Sequence, residues 1–190
     1  MKLSQLLATA LFLASSANAS IIGWTATLSG SAEIPSNAST GTGFVSVTVD
    51  TVANTLAVGL TFSGLTGGNA AAAHIHCCTP QPGNTGVALP FTGFPGATSG
   101  SYSNIFDLTQ TATYQGTFLT GNGGTAASAE AALIAGLLAG QTYANIHNQT
   151  FPGGEIRGIL VENPEPGTFT LAFLALAVVV AGRRQFVHSR

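Results

Sequence analysis

Two adjoining runs of strict alternation most limit what this chain can become. In Phe44–Val49, Val45, Val47 and Val49 are separated by Ser46 and Thr48. A period of two places the valines on one side of an extended strand and the hydroxyls on the other. Beyond the turn Ala53-Asn54-Thr55, Leu56, Val58 and Leu60 alternate with Ala57, Gly59 and Thr61. Two half-apolar strands joined by a short turn read as a hairpin. A lone hairpin is marginal in water, so its apolar face must meet more sheet.

The rest of the chain can supply that sheet. Strands are predicted at Trp24–Leu28, Ala72–His76, Tyr102–Leu108, Thr142–His147 and Glu155–Val161. Phe151-Pro152-Gly153-Gly154 turns between the last two, and the Pro- and Gly-rich stretch Pro80–Gly100 reads as a long loop. One segment differs. Ala126–Leu138 is dominated by Ala and Leu, and Leu133, Ile134, Leu137 and Leu138 fall at helical spacing. With Ser128 as N-cap and Gly140 just past the end, one helix is expected there. The predicted architecture is a β-sandwich or barrel with one helical crossover.

Charge narrows the class of partner. Only 6% of the 190 residues are charged and 24 are Gly, which excludes a coiled coil and a charge-rich disordered chain. Between Ser20 and Asn163 there are six acids, Glu33, Asp50, Asp107, Glu130, Glu155 and Glu162, against one base, Arg157. Six minus one leaves net -5 on the middle of the chain. Such a surface has no footprint for a phosphate backbone, so nucleic acid is not an expected partner, whereas cations suit it.

Both ends read as addresses. Residues 1–19 carry Lys2, the apolar run Leu6–Ala14 and the small-x-small site Ala17-Asn18-Ala19, the order of a secretory signal peptide with its short helix. At the other end, Asn163-Pro164-Glu165-Pro166-Gly167 precedes an apolar run, Thr168–Ala181, and then Gly182-Arg183-Arg184. As a helix, that run reaches roughly 21 Å, short of a hydrocarbon core of roughly 30 Å. The arginines favour a cytoplasmic end. These parts resemble the PEP-CTERM signal of Gram-negative bacteria. The resemblance implies export, transient inner-membrane anchoring through residues 163–190, and cleavage by an exosortase-type sorting enzyme near Pro164, Glu165 and Pro166. The mature domain would then span residues 20–162, in the periplasm, at the cell surface or in the extracellular matrix.

The interior carries its own motifs. Ala73-His74-Ile75-His76 lies on one strand, and Leu137-Leu138-Ala139-Gly140 closes the helix. Tyr143-Ala144-Asn145-Ile146-His147 and Phe151-Pro152-Gly153-Gly154-Glu155-Ile156-Arg157-Gly158 follow. In order and spacing these are similar to the CHRD domain, named after the repeated domain of chordin, over about Thr25–Val161. The resemblance implies an all-β, immunoglobulin-like sandwich of exported proteins. It implies no particular activity.

Chemistry concentrates on the histidines. Ala73 and Ile75 face one way on their strand, and His74 and His76 face the other, roughly 6.6 Å apart. On the later strand Ala144 and Ile146 share the apolar face, while Tyr143, Asn145 and His147 share the opposite one. If the two strands are neighbours, His74, His76 and His147 converge. Three imidazoles with an open position are a usual ligand set for zinc or copper. The other reading needs no ion: His74 and His76 bond to loop carbonyls, and His147 and Asn145 order the hairpin on a solvated face. The His-x-His strand is also similar to copper–zinc superoxide dismutase. That family needs more histidines, a bridging imidazole and an aspartate ligand, so dismutase activity is not expected.

Neighbouring residues allow several roles. Glu155 and Arg157 share a face of the last strand. Glu155 is either a fourth ligand or an acceptor for an imidazole N–H, or else Arg157 pairs locally with Glu155 or with loop carbonyls. Cys77 and Cys78 follow the His-x-His directly. They can join in a vicinal disulfide in an oxidising compartment, add thiolates to the histidine site, or link two chains. There is no nucleophile elbow, no local carboxylate pair and no phosphate loop. The expected role is therefore an exported binding or structural module contacting extracellular polymer or surface proteins. The alternative is a copper or zinc protein, redox or carrier, built on the three histidines.

Overall fold

A computed structural model describes residues 21–163. The signal-peptide, PEP-CTERM and terminal-helix readings fall on residues 1–19 and 164–190 and lie outside the described residues. The described strands are β1 (Ile21–Ser29), β2 (Thr42–Asp50), β3 (Thr55–Ser63), β4 (Ala70–His76), β5 (Val87–Pro90), β6 (Gly100–Asp107), β7 (Tyr143–Asn148), β8 (Ile156–Ile159) and β9 (Val161–Asn163). Two helices, α1 (Gly116–Gly121) and α2 (Ala126–Leu138), lie between β6 and β7. The expected all-β class holds. The strands form one antiparallel sheet in the order β5-β4-β7-β8-β1-β2-β3-β6, with β9 also pairing β1. The sheet curls into a half-barrel around its apolar face.

The β2–β3 hairpin shows why the alternation is decisive. Val45, Val47, Val49, Leu56, Val58 and Leu60 are all buried, and Val47 stands opposite Val58 in the ladder. Each such side chain contributes roughly 1.5–3 kcal/mol of apolar burial. Asp50 accepts from the backbone N–H groups of Val52 and Ala53, and Asn54 takes a left-handed conformation, which closes the turn. At the other end of the sheet, the segment between β5 and β6 is tied back through Leu65 N–H to Thr98 O and Ala70 N–H to Ala97 O. Phe91 stacks on Tyr102, and Phe94 on Phe62, beneath it.

Three local expectations are corrected. The 80–100 loop contains a short strand, β5, which pairs with β4 because Ile75 lies opposite Leu89 and both are buried. The crossover holds two helices rather than one. The N-cap of α2 is Thr125, whose hydroxyl accepts from Ser128 N–H while Ser128 Oγ accepts from Thr125 N–H. Ser128 is thus the third helical residue of a capping box, not the cap.

Candidate metal centre

β4 and β7 are neighbours, although 66 residues separate His76 from Tyr143, its partner in the ladder. The register sets His74 opposite Asn145 and Ala72 opposite His147. Because paired residues share a face, all three imidazoles emerge on the side away from Ala73, Ile75, Ala144 and Ile146. One ring nitrogen from each of His74, His76 and His147 lies within 4.8 Å of the others. The rings sit edge to face or tilted, with centroids 5.0 to 6.0 Å apart.

This face is not solvated. Among the buried polar side chains, His76, Asn145, Arg157 and Glu33 lie here, under loop segments. Such groups stay inside only when bonded or paired. Arg157, which is 1% exposed, donates to Asn84 Oδ1, Gln81 Oε1 and Gly83 O of the loop before β5. Asn84 in turn donates to Ile34 O. Asn37 donates to Gly154 O and Glu155 O, tying the loop after β1 to the β7–β8 turn.

Within this layer the imidazole protons are assigned by their partners. His76 Nδ1 lies 2.8 Å from Thr85 O, and His147 Nδ1 lies 2.9 Å from Pro152 O. A backbone carbonyl only accepts, so Nδ1 carries the proton in both rings and Nε2 keeps a free lone pair. A carbonyl holding the far N–H is also the usual outer support of a metal-binding imidazole. His74 Nδ1 is buried and has no hydrogen-bond partner among the described residues. Burial, then the neighbouring His147 and His76, lower the His74 pKa to about 4. Burial likewise lowers His76 and His147, against the carbonyl bonds that favour their charged forms. Near neutral pH all three imidazoles are therefore uncharged, the form that binds metal ions.

Two further groups frame the cluster. The Tyr143 ring lies parallel to His76 at 4.5 Å, and the Arg157 guanidinium sits 3.5 Å from the Tyr143 ring centre. Tyr143 OH donates to Thr85 O, the carbonyl that also holds His76. On the other side is Glu33, 6% exposed, which the sequence reading did not single out. Burial raises its pKa to about 7, opposed by the charge of Arg157 and by the Asn145 amide. Its Oε1 makes no hydrogen bond among the described residues.

The other candidate residues go elsewhere. Glu155 does not reach the imidazoles, so the ligand and imidazole-acceptor roles are corrected. Its carboxylate accepts from Ser39 Oγ at 2.5 Å, Thr66 N–H at 2.5 Å, Gly67 N–H and Asn148 Nδ2. Burial alone would raise its pKa, but the bonds from Ser39, Thr66 and Gly67 hold it below the usual range. Of the two local roles expected of Arg157, pairing with Glu155 is not made, whereas bonding to a loop carbonyl is, at Gly83 O, alongside Asn84 and Gln81. Cys77 and Cys78 are joined to each other, which leaves neither as a thiolate ligand nor as a link between chains. Their sulfurs pack against α2, where a Cβ at Gly136 would overlap both. Pro164, Glu165 and Pro166 lie outside the described residues.

The family model for the CHRD domain covers residues 24–160. No curated protein and no solved structure matches the chain.

Proposed function

This chain belongs to the CHRD-domain family, and from that premise we propose an exported module that holds a copper or zinc ion through His74, His76 and His147. The domain type is one of extracellular and secreted proteins. The observation that carries the metal reading is the convergence of three uncharged imidazoles, two of them braced by carbonyls at Nδ1. His74 Nδ1, buried and without a hydrogen-bond partner among the described residues, adds a third imidazole not engaged elsewhere at that nitrogen. Elemental analysis of the purified protein tests this. Copper or zinc near one equivalent, lost in His74→Ala and His76→Ala, is expected. A metal-free protein whose stability is unchanged by His74→Ala would overturn it.

The module works at the cell surface or in the extracellular matrix, alongside extracellular polymer or surface proteins. Residues 163–190 tether it briefly to the inner membrane until an exosortase-type enzyme cuts near Pro164-Glu165-Pro166. Support comes from the order of that motif, the short apolar run and the terminal arginines. Among the described residues no helix is long and apolar enough to cross a membrane. The intact mass of the protein from its native host is expected to lack residues 1–19 and the C-terminal tail. A mass retaining residues 164–190 would refute the sorting role.

A further inference from the structure

The fourth side of the cluster is occupied by a carboxamide. Asn145 Oδ1 lies 3.0 Å from His76 Nε2 and 2.8 Å from His147 Nε2. Both Nδ1 atoms face carbonyls and hold the ring protons, so both Nε2 atoms present lone pairs. Asn145 Oδ1 can only accept as well. With the amide in this orientation three acceptors point at one another at hydrogen-bond distance, and a cation among them would take up all three lone pairs, whereas the turned amide would donate an N–H to each Nε2. The other end of the amide is accounted for. The Asn145 N–H group acts on the Glu33 carboxyl, and both lie against Gly154, where a Cβ would collide with each. This orients Oδ1 toward the imidazoles. Around a tetrahedral ion with bonds of about 2.0–2.1 Å, neighbouring donors lie roughly 3.3 Å apart. The Asn145 contacts are within half an ångström of that spacing.

We infer that Asn145 Oδ1 is the fourth donor, completing a closed three-nitrogen, one-oxygen set for a zinc ion, with Glu33 as the positioning residue that aims it. This deepens the three-histidine reading and rests on it. A set closed by protein donors belongs to structural or sequestering zinc, whereas catalytic zinc keeps a position for water. The ion would be held within the buried polar layer, locking the β4–β7 pair to the loops that carry Thr85 and Pro152.

The test uses the purified protein with zinc(II), and cobalt(II) as the spectroscopic probe, in wild type, Asn145→Ala, Asn145→Asp and Glu33→Gln. Wild type is expected to give the intense visible bands of four-coordinate cobalt. Asn145→Ala is expected to bind zinc about 10- to 100-fold more weakly and to show the weaker bands of a site that has admitted water. Asn145→Asp retains an oxygen donor and keeps the four-coordinate spectrum with affinity at least that of wild type. Glu33→Gln is expected to weaken zinc binding while leaving that spectrum intact. Zinc affinity and cobalt spectrum unchanged in Asn145→Ala would overturn the inference while leaving the histidine site standing. Weaker zinc binding in Asn145→Asp would also overturn it, because the amide would then be acting as a donor. Wild type that takes up neither ion would sink the histidine site itself.

Discussion

Glu33 and His74 make opposing demands on the pH of the metal-free protein. Glu33 has a folded pKa of about 7 against an ordinary 4.5, so the unfolded chain releases its proton first. The stability tied to its protonated form is complete below about pH 4.5 and is lost as pH rises through 7. Replacing Glu33 by Gln removes that loss. Denaturant titrations should therefore show Glu33→Gln gaining on wild type between pH 4.5 and 7, by on the order of 2 kcal/mol. A constant difference across that range would contradict the raised pKa. His74 acts in the other sense. Its folded pKa of about 4 lies below 6.5, so the unfolded chain takes up its proton first on acidification. Stability is lost as pH falls from 6.5 toward 4, and His74→Gln should blunt that loss. A bound ion would deepen it, since protons compete for the same lone pairs.

Among the elements, α2 shows how one segment meets several constraints. Its sequence is a strong helix former, its start is held by the Thr125–Ser128 box, and Leu133 and Leu137 are buried beneath it. Gly136 looks like a flaw in such a helix, because Gly costs about 1 kcal/mol against Ala there. Packing explains it: the Cys77–Cys78 pair occupies the space a side chain would need. Gly136→Ala should accordingly destabilise by about 1–3 kcal/mol despite its better helix propensity. Thr125→Ala should cost about 1 kcal/mol through the lost cap. Thermal denaturation separates the two effects. A stabilising Gly136→Ala would mean that α2 does not seat on the cysteines. Because those cysteines directly follow His76, α2 also braces the end of β4 that carries the candidate site.

Across the whole molecule, the curled sheet presents an aliphatic core on one face and, over β4, β7 and β8, a buried polar layer under loops on the other. The polar layer joins segments distant in sequence, around residues 33–39, 66–67, 81–85 and 145–157, so an ion bound there should be felt globally. Zinc at 100 times its dissociation constant should add about 2.7 kcal/mol. The melting temperature should rise with zinc and fall with chelator in wild type, and do neither in His76→Ala. Much of this was legible beforehand, where the information is local. Alternation located β2 and β3, because a short hairpin pairs neighbours in sequence, and helical spacing set the bounds of α2. Alternation also placed the three histidines on the polar sides of their strands, since pleating fixes facing residue by residue. Other features depend on what is near in space. Four residues are too few for a period to show, so β5 is recognisable only by its pairing with β4. Glu33 lies in loop-like sequence and Glu155 at the start of a predicted strand, and neither position tells which groups its carboxylate meets. Only the folding of the segment after β1 over the β7–β8 turn put Glu33 beside Asn145 and drew Glu155 away to Ser39 and Thr66. The sequence alone determined which face each imidazole takes, because that follows from backbone geometry. Only the tertiary structure decided that the imidazoles meet and that Asn145 stands among them, because adjacency of β4 and β7 is a property of chain topology.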